Sequence, residues 1–179
     1  MRVVVMPDIA TVVVDVIAWG IVHAGSGYAV HRLPVSSFER ERWWSKSRAF
    51  ECNGHWYERT LRIKRWKDRL PEAGGLFRGG VSKRTLPDAQ VGGLGRFVVE
   101  TRRAELGHLI AACAGPFFVL WNPPVAAALM VLYGVAVNLP FIAIQRYNRL
   151  RAMRVLRRRD ARIDRSSPST SALGRERKN

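Results

Sequence analysis

The sequence predicts an all-α, small polytopic membrane protein: an N-terminal transmembrane helix, a basic amphipathic cytoplasmic segment and a C-terminal helical hairpin. Two observations carry this. Lys and Arg number 1 in residues 1–30, 17 in 31–103, none in 104–145 and 12 in 146–179. Positive charge is thus kept out of two apolar blocks and piled beside them, as the positive-inside rule requires. The second block holds Leu109–Trp121 and Val125–Ile144, runs without a charged residue that are broken once by Asn122-Pro123-Pro124.

The chain of 179 residues is expected to form one membrane-embedded unit in four stretches: 1–30, 31–99, 100–149 and 150–179. The net charge of +16 would suit nucleic acid, but its segregation around apolar spans points to a membrane surface instead. No nucleic-acid partner is expected. Both basic segments are placed in the cytoplasm and the short N-terminus outside, giving a multi-pass protein of the cell membrane. Cys52 and Cys113 fall in different segments, so they imply neither a disulfide framework nor a metal cluster.

The first block runs from Ile9 to about Val30. A signal peptide is the alternative, but Asp8 and Asp15 and the lack of a small-x-small site favour a retained helix. Asp15 should face the bundle interior, shielded by a group such as Tyr133 or Asn138. Residues 31–71 interleave basic and aromatic side chains, with Trp43, Trp44, Trp56, Tyr57 and Trp66 suited to a headgroup layer. Ile63, Trp66 and Leu70 fit one helix stripe stopped by Pro71.

Residues 72–95 are rich in glycine and read as a surface loop or a lid. Lys83 follows Gly79-Gly80, yet Val81 breaks the phosphate-loop pattern. A polar helical cap, Glu100–His108, opens the hairpin. A span needs about 20 apolar residues to cross roughly 30 Å. Val125–Ile144 meets this unaided; Leu109–Trp121 is short and either crosses with its flanks in the interfaces or forms a re-entrant limb. A basic helix then leaves the membrane, and from Ser166 the Ser, Pro and charged composition implies disorder.

Several motifs in fixed order carry a resemblance: Trp56-Tyr57-Glu58, Ile63–Pro71, Phe77 with Gly79–Lys83, Arg96-Phe97 with Glu100–Glu105 and His108, Asn122-Pro123, and Asn138-Leu139-Pro140 through Gln145–Arg149. Over about residues 40–155 the chain resembles the glycosyl-4,4'-diaponeurosporenoate acyltransferase family. The resemblance implies transfer of a fatty acyl group to a sugar hydroxyl of a lipid-linked glycoside at the membrane. It implies a glycoside acceptor, an acyl donor such as acyl-CoA as cosubstrate, and no cofactor. Anionic lipid is a further expected partner.

Acyl transfer needs a base for the hydroxyl proton and donors for the oxyanion. No G-x-S-x-G elbow exists, and no His is followed at the fifth position by Asp. Thr101, Glu105 and His108 share about a 60° sector of one helix face, with Ala112 and Gly115 continuing it as a shallow groove. His108 is therefore the candidate general base and Glu105 the residue that orients or charges its ring. Arg102, Arg103 and Lys83 are candidate holders of donor phosphates. Asn138, Gln145, Arg146 and Asn148 complete the candidate substrate-binding set.

Plainer readings stand beside these. Gly107, Ala111 and Gly115 also make an ordinary helix-packing ridge, and Asn138, Gln145 and Asn148 suit interhelical hydrogen bonds. His55 and Glu58 form a second i, i+3 pair. The chain as a whole also fits a noncatalytic module binding anionic lipid or a partner, or a methyltransferase acting on an isoprenoid.

Overall fold

The computed structural model describes residues 3–70 and 93–166. Lys83, most of the glycine-rich stretch and the tail past Ser166 lie outside the described residues. Within them all regular structure is helical, with no strand. The longer elements are α1 (Asp8–Arg32), α4 (Gly93–Cys113) and α5 (Pro124–Ser166), with short helices α2 (Ser36–Glu39) and α3 (His55–Arg59) between α1 and α4. Three helical stretches, Asp8–Arg32, Gly93–Leu120 and Pro124–Arg165, are long and apolar enough to cross a membrane. The chain is accordingly a membrane-associated protein.

Helix α1 begins after Pro7, with Asp8 in its first turn and His31 and Arg32 in its last, charges that complement the helix dipole. It ends ahead of Pro34, whose ring disfavours helical backbone at the preceding residue. Ile9, Val12, Val13, Val16, Ile17 and Ile21 remain exposed, as a lipid-facing surface would be. Asp15 is buried, but Trp121 Nε1 (2.7 Å) and Asn122 Nδ2 (2.8 Å) donate to its carboxylate, so its partners are not Tyr133 or Asn138. The physical reason is the hairpin tip, which lies beside the N-terminal half of α1. The Val3 and Val4 N–H groups also reach it, donating to Leu120 O at 2.8 and 3.0 Å.

The hairpin breaks where Asn122-Pro123-Pro124 interrupts the apolar run. Its first limb ends at Cys113 and continues as a 3₁₀ turn, Gly115–Leu120, before α5 starts at Pro124. Helix α4 also begins earlier than a cap at Glu100 suggests: Gly93, Leu94 and Gly95, read as loop, are helical. Leu94, Phe97 and Val98 explain this, since they bury against Ala152, Met153, Val155 and Leu156 of α5. At about 1.5 Å per residue the 43 residues of α5 span roughly 65 Å, about twice a hydrocarbon core.

The small residues of the first hairpin limb serve packing on two sides. A Cβ on Gly107 would lie 3.3 Å from Val30 of α1, and one on Gly115 would lie 2.7 Å from the Val131 Cα of α5. Trp19 ties α1 to α5: it stacks on Phe118 (4.7 Å), meets Tyr133 edge-on (4.8 Å), donates to Met130 Sδ (3.3 Å) and fills the space over Gly134.

Within the basic segment the helix stripe expected at Ile63, Trp66 and Leu70 falls on short 3₁₀ turns instead of one helix. Cys52, Asn53, Gly54 and Arg62 adopt positive φ, which breaks the chain into a 3₁₀ turn (Ala49–Gly54), α3, and 3₁₀ turns at Ile63–Arg65 and Lys67–Arg69. Ile63, Trp66 and Leu70 still share one core with Tyr57, Ala143, Ile144, Tyr147 and Leu150. The aromatics divide as well. Trp43 is largely exposed, whereas Tyr57 is buried and Trp44, Trp56 and Trp66 are half-buried.

Candidate active site

Two polar layers cross the α4/α5 hairpin on its basic end. The first joins it to the segment before α3. Glu105 is almost wholly buried, and its oxygens accept from Arg146 Nη1 (2.7 Å) and from Arg149 Nη1. Glu51, equally buried, accepts from Arg146 Nε (2.7 Å) and Nη2 (3.2 Å), Tyr57 Oη (2.6 Å) and the Arg48 N–H. Trp44 O, Ser45 O and Lys46 O accept from Arg146 Nη1, Arg149 Nη2 and Arg146 Nη2 at 3.0, 3.0 and 2.8 Å. A guanidinium carries five N–H donors, and those of Arg146 all meet protein acceptors. Three successive carbonyls of the basic segment are thereby bolted to α5.

Burial pushes the Glu51 carboxyl upward, but the hydrogen bonds from Arg146, the Arg48 N–H and Tyr57 outweigh it and hold it below the ordinary carboxylate range. The Tyr57 hydroxyl is pushed well up, by burial first and then by the Glu51 carboxylate. Arg102 does a related job for α2. Its Nη1 donates to Phe38 O (2.9 Å) and Glu39 O (2.7 Å), carbonyls that a helix C-terminus leaves without partners, and its Nη2 lies 3.6 Å from Glu41. Arg103 pairs with Glu100 at 2.8 Å and lies over the Phe38 ring. Between α1, α2 and α4, a recess of about 230 Å³ is lined by Leu33, Ser37, Phe38, Arg42, Trp44 and Leu106.

The second layer has a different character. Asn138 Nδ2 donates to Gly134 O (2.9 Å), which fixes the amide so that Oδ1 faces His108 Nδ1 at 3.0 Å. An amide oxygen only accepts, so Nδ1 is the protonated nitrogen of the neutral ring and Nε2 holds the basic lone pair. Phe141 stacks on the imidazole at 4.8 Å with the rings 8° apart, fixing its plane. Gln145, 3% exposed, continues the Asn138 and Phe141 face of α5. Asn148 is buried one turn further on.

His108 and Glu105 thus sit one turn apart on α4, but the nitrogen Nδ1 is served by Asn138 while Glu105 is clamped by two guanidinium groups. His55 is differently placed. Its Nε2 lies 3.2 Å from Arg154 Nη1, a donor only, so the Nε2 lone pair is taken up there, and Nδ1 is 4.0 Å from Glu58. Glu58 itself is held by Lys64 (2.9 Å) and by Tyr147 Oη (3.1 Å).

Sequence reasoning missed Glu51 and Arg149 as members of the buried layer. A signal for Glu51 was its place in Ala49-Phe50-Glu51-Cys52, the one acid in a short uncharged run of a basic segment. For Arg149 the signal was its i, i+3 spacing from Arg146, across the hairpin from an acid on α4.

A family profile described as glycosyl-4,4'-diaponeurosporenoate acyltransferase matches residues 40–158, a stretch that contains every member of both layers. The chain is similar to the glycosyl-4,4'-diaponeurosporenoate acyltransferases of Staphylococcus aureus strains MRSA252 (29% identical), bovine RF122 / ET3-1 (28%) and USA300 (28%). Each alignment spans 151 residues, 82% of this chain and 90% of the relative. No solved structure matches it.

Proposed function

The chain belongs to the glycosyl-4,4'-diaponeurosporenoate acyltransferase family and is an acyltransferase, and on that premise we propose that it moves a fatty acyl group onto a sugar hydroxyl of a lipid-linked glycoside, with His108 as general base. The acceptor is a glycosylated carotenoid or a similar glycolipid, as the relatives' name indicates for them. The donor is an activated acyl group such as an acyl-CoA. The reading of a noncatalytic surface module gives way to an enzyme.

What supports the role of His108 is the Asn138 hydrogen bond that leaves the basic lone pair on Nε2. In the reaction Nε2 takes the hydroxyl proton as the sugar oxygen bonds to the acyl carbon. The bond to the donor's leaving group then breaks, and the proton returns from Nε2 to that group, so atoms and charges balance. Asn138 acts through His108 as a positioning residue, whereas Glu105 serves the scaffold and holds α5 in register through Arg146 and Arg149. Arg146 has no donor left for a phosphate, and Arg102 spends its Nη1 on α2. Arg103 and Lys83 stay as candidates for the donor, and Asn148 for the substrate.

The surface of Trp43, Phe50 and the surrounding Arg and Lys suits anionic headgroups, each cation near them contributing about 1 kcal/mol. The basic segments lie in the cytoplasm of a multi-pass cell-membrane protein, so cysteines placed at positions 65 and 158, in a chain without Cys52 and Cys113, resist impermeant reagent in intact cells. Strong labelling there reverses the orientation. The reaction class is tested by lipid mass spectrometry of deletion and complemented strains. A glycolipid heavier by one fatty acyl group in the complemented strain alone is the expected result, and identical lipid profiles contradict it.

A further inference from the structure

Gln145 is 3% exposed, yet its side-chain carbonyl oxygen has no hydrogen-bond partner. A buried amide left unsatisfied costs about 1–3 kcal/mol, so such a group calls for an explanation. Among the described residues the other buried nitrogens and oxygens without partners are His23 Nε2, Ser47 Oγ and the Nε atoms of Arg102, Arg103, Arg149 and Arg154, and each of these four guanidinium groups is already bonded through its Nη atoms. Gln145 has no such second anchor in its amide.

Its position singles it out further. Asn138, Phe141 and Gln145 follow one another at i, i+3 and i+7, so they share a face of α5. The first bonds His108 and the second stacks on it. Arg146 and Tyr147, by contrast, turn toward Glu51 and Glu58 in the basic segment. Gln145 lies about 10 Å along the axis from Asn138, on the basic side of it. It is also the last residue before the positive charge resumes at Arg146, the depth of a headgroup rather than of an acyl chain.

We infer that the Gln145 amide is the binding contact for a second hydroxyl of the acceptor sugar, and so selects a polyol headgroup over a simple alcohol at the His108 site. This deepens the functional reading above and rests on it. The chemistry of the amide favours a hydroxyl over other ligands. Gln presents either an acceptor or a donor depending on how the amide is turned, and a hydroxyl, which donates and accepts, satisfies both. A carboxylate or an ammonium satisfies only one. A sugar ring held by one hydroxyl near Nε2 and another at Gln145 is fixed in orientation as well as place, which is what a general base requires.

The test measures acyl transfer from palmitoyl-CoA by the full chain in membranes, with dodecyl β-glucoside, its monodeoxy analogues and dodecanol as acceptors. For Gln145→Leu, kcat/KM for the glucoside falls about ten- to a hundred-fold while that for dodecanol and the KM for the donor stay within twofold. One monodeoxy analogue suffers a similar penalty with the wild-type chain, and that penalty disappears in Gln145→Leu. Inserted protein and thermal stability do not fall, because an apolar side chain replaces an unsatisfied polar one. Gln145→Leu that keeps the glucoside within twofold of wild type, or that loses stability while turnover per molecule persists, overturns the assignment. A wild-type chain that acylates neither glucoside nor dodecanol overturns the acyl-transfer reading itself.

Discussion

The two polar layers of the hairpin meet on α4 a single turn apart, at Glu105 and His108, and they differ in what they have left to offer. In the Glu51–Arg146–Glu105–Arg149 layer the carboxylates are met by guanidinium groups and every N–H of Arg146 is used. In the His108–Asn138–Gln145 layer the bonds hold an imidazole in one tautomer and leave an amide oxygen without a partner. On the proposed reading the first layer is scaffold and the second carries the chemistry. On that reading charge alone does not mark the active part of the molecule; the oriented imidazole and the unpartnered Gln145 amide oxygen do.

Substitutions in the two layers should therefore fail differently. The largest structural effect is expected for Glu51→Ala, which leaves Arg146 partly uncompensated in a buried site and frees the Tyr57 hydroxyl. Removing one partner of a buried ion pair costs about 3–5 kcal/mol. Inserted protein and the unfolding temperature in detergent should drop sharply. Turnover per surviving molecule should change little, and a selective loss of turnover would move Glu51 into the chemical layer.

A smaller effect is expected at the hairpin tip. Gly115→Ala puts a Cβ 2.7 Å from the Val131 Cα, a backbone atom that cannot swing away, so the 3₁₀ turn and α5 must separate locally. Overpacking of this kind costs about 1–3 kcal/mol. A thermal melt of the purified variant checks it, and an unchanged midpoint would mean that the tip is loosely packed.

The smallest effect is a pH dependence. The Glu51 and Glu58 carboxyls are held below their ordinary value of 4.5, so their contribution is fully present above that value and is lost as pH falls through the lower folded-state values. Melting midpoints should be flat from about pH 5 to 7 and fall below about 4.5, with a shallower fall in Glu51→Gln. An identical fall in that variant would assign the acid sensitivity elsewhere.

The sequence revealed the framework more clearly than the scaffold layer. Three apolar helices and the break at Asn122 follow from charge segregation and run length, quantities local to the chain. The partners of Asp15 did not, because they depend on where the hairpin tip folds. Nor did the turns around residues 52 and 62: Cys52 and Arg62 take left-handed backbone that their residue types do not announce, whereas Asn53-Gly54 is an ordinary turn pair. Glu51 and Arg146 are 95 positions apart, and a lone acid among many cations reads as surface until a fold brings them together. His108 and Glu105 were legible as neighbours on one helix face, whereas their different partners were set by α5.

The division between the layers is tested most directly by measuring, side by side for His108→Ala and Glu51→Ala, both the amount of membrane-inserted protein and the acylated glycolipid formed per inserted molecule. His108→Ala should insert near wild-type levels and lose about 10² to 10⁴ in product per molecule, the range for removal of a general base. Glu51→Ala should show the reverse, low abundance with turnover per molecule within a few-fold of wild type. If His108→Ala retains turnover within a few-fold of wild type, the chemistry does not lie in the His108–Asn138 layer and the account is contradicted.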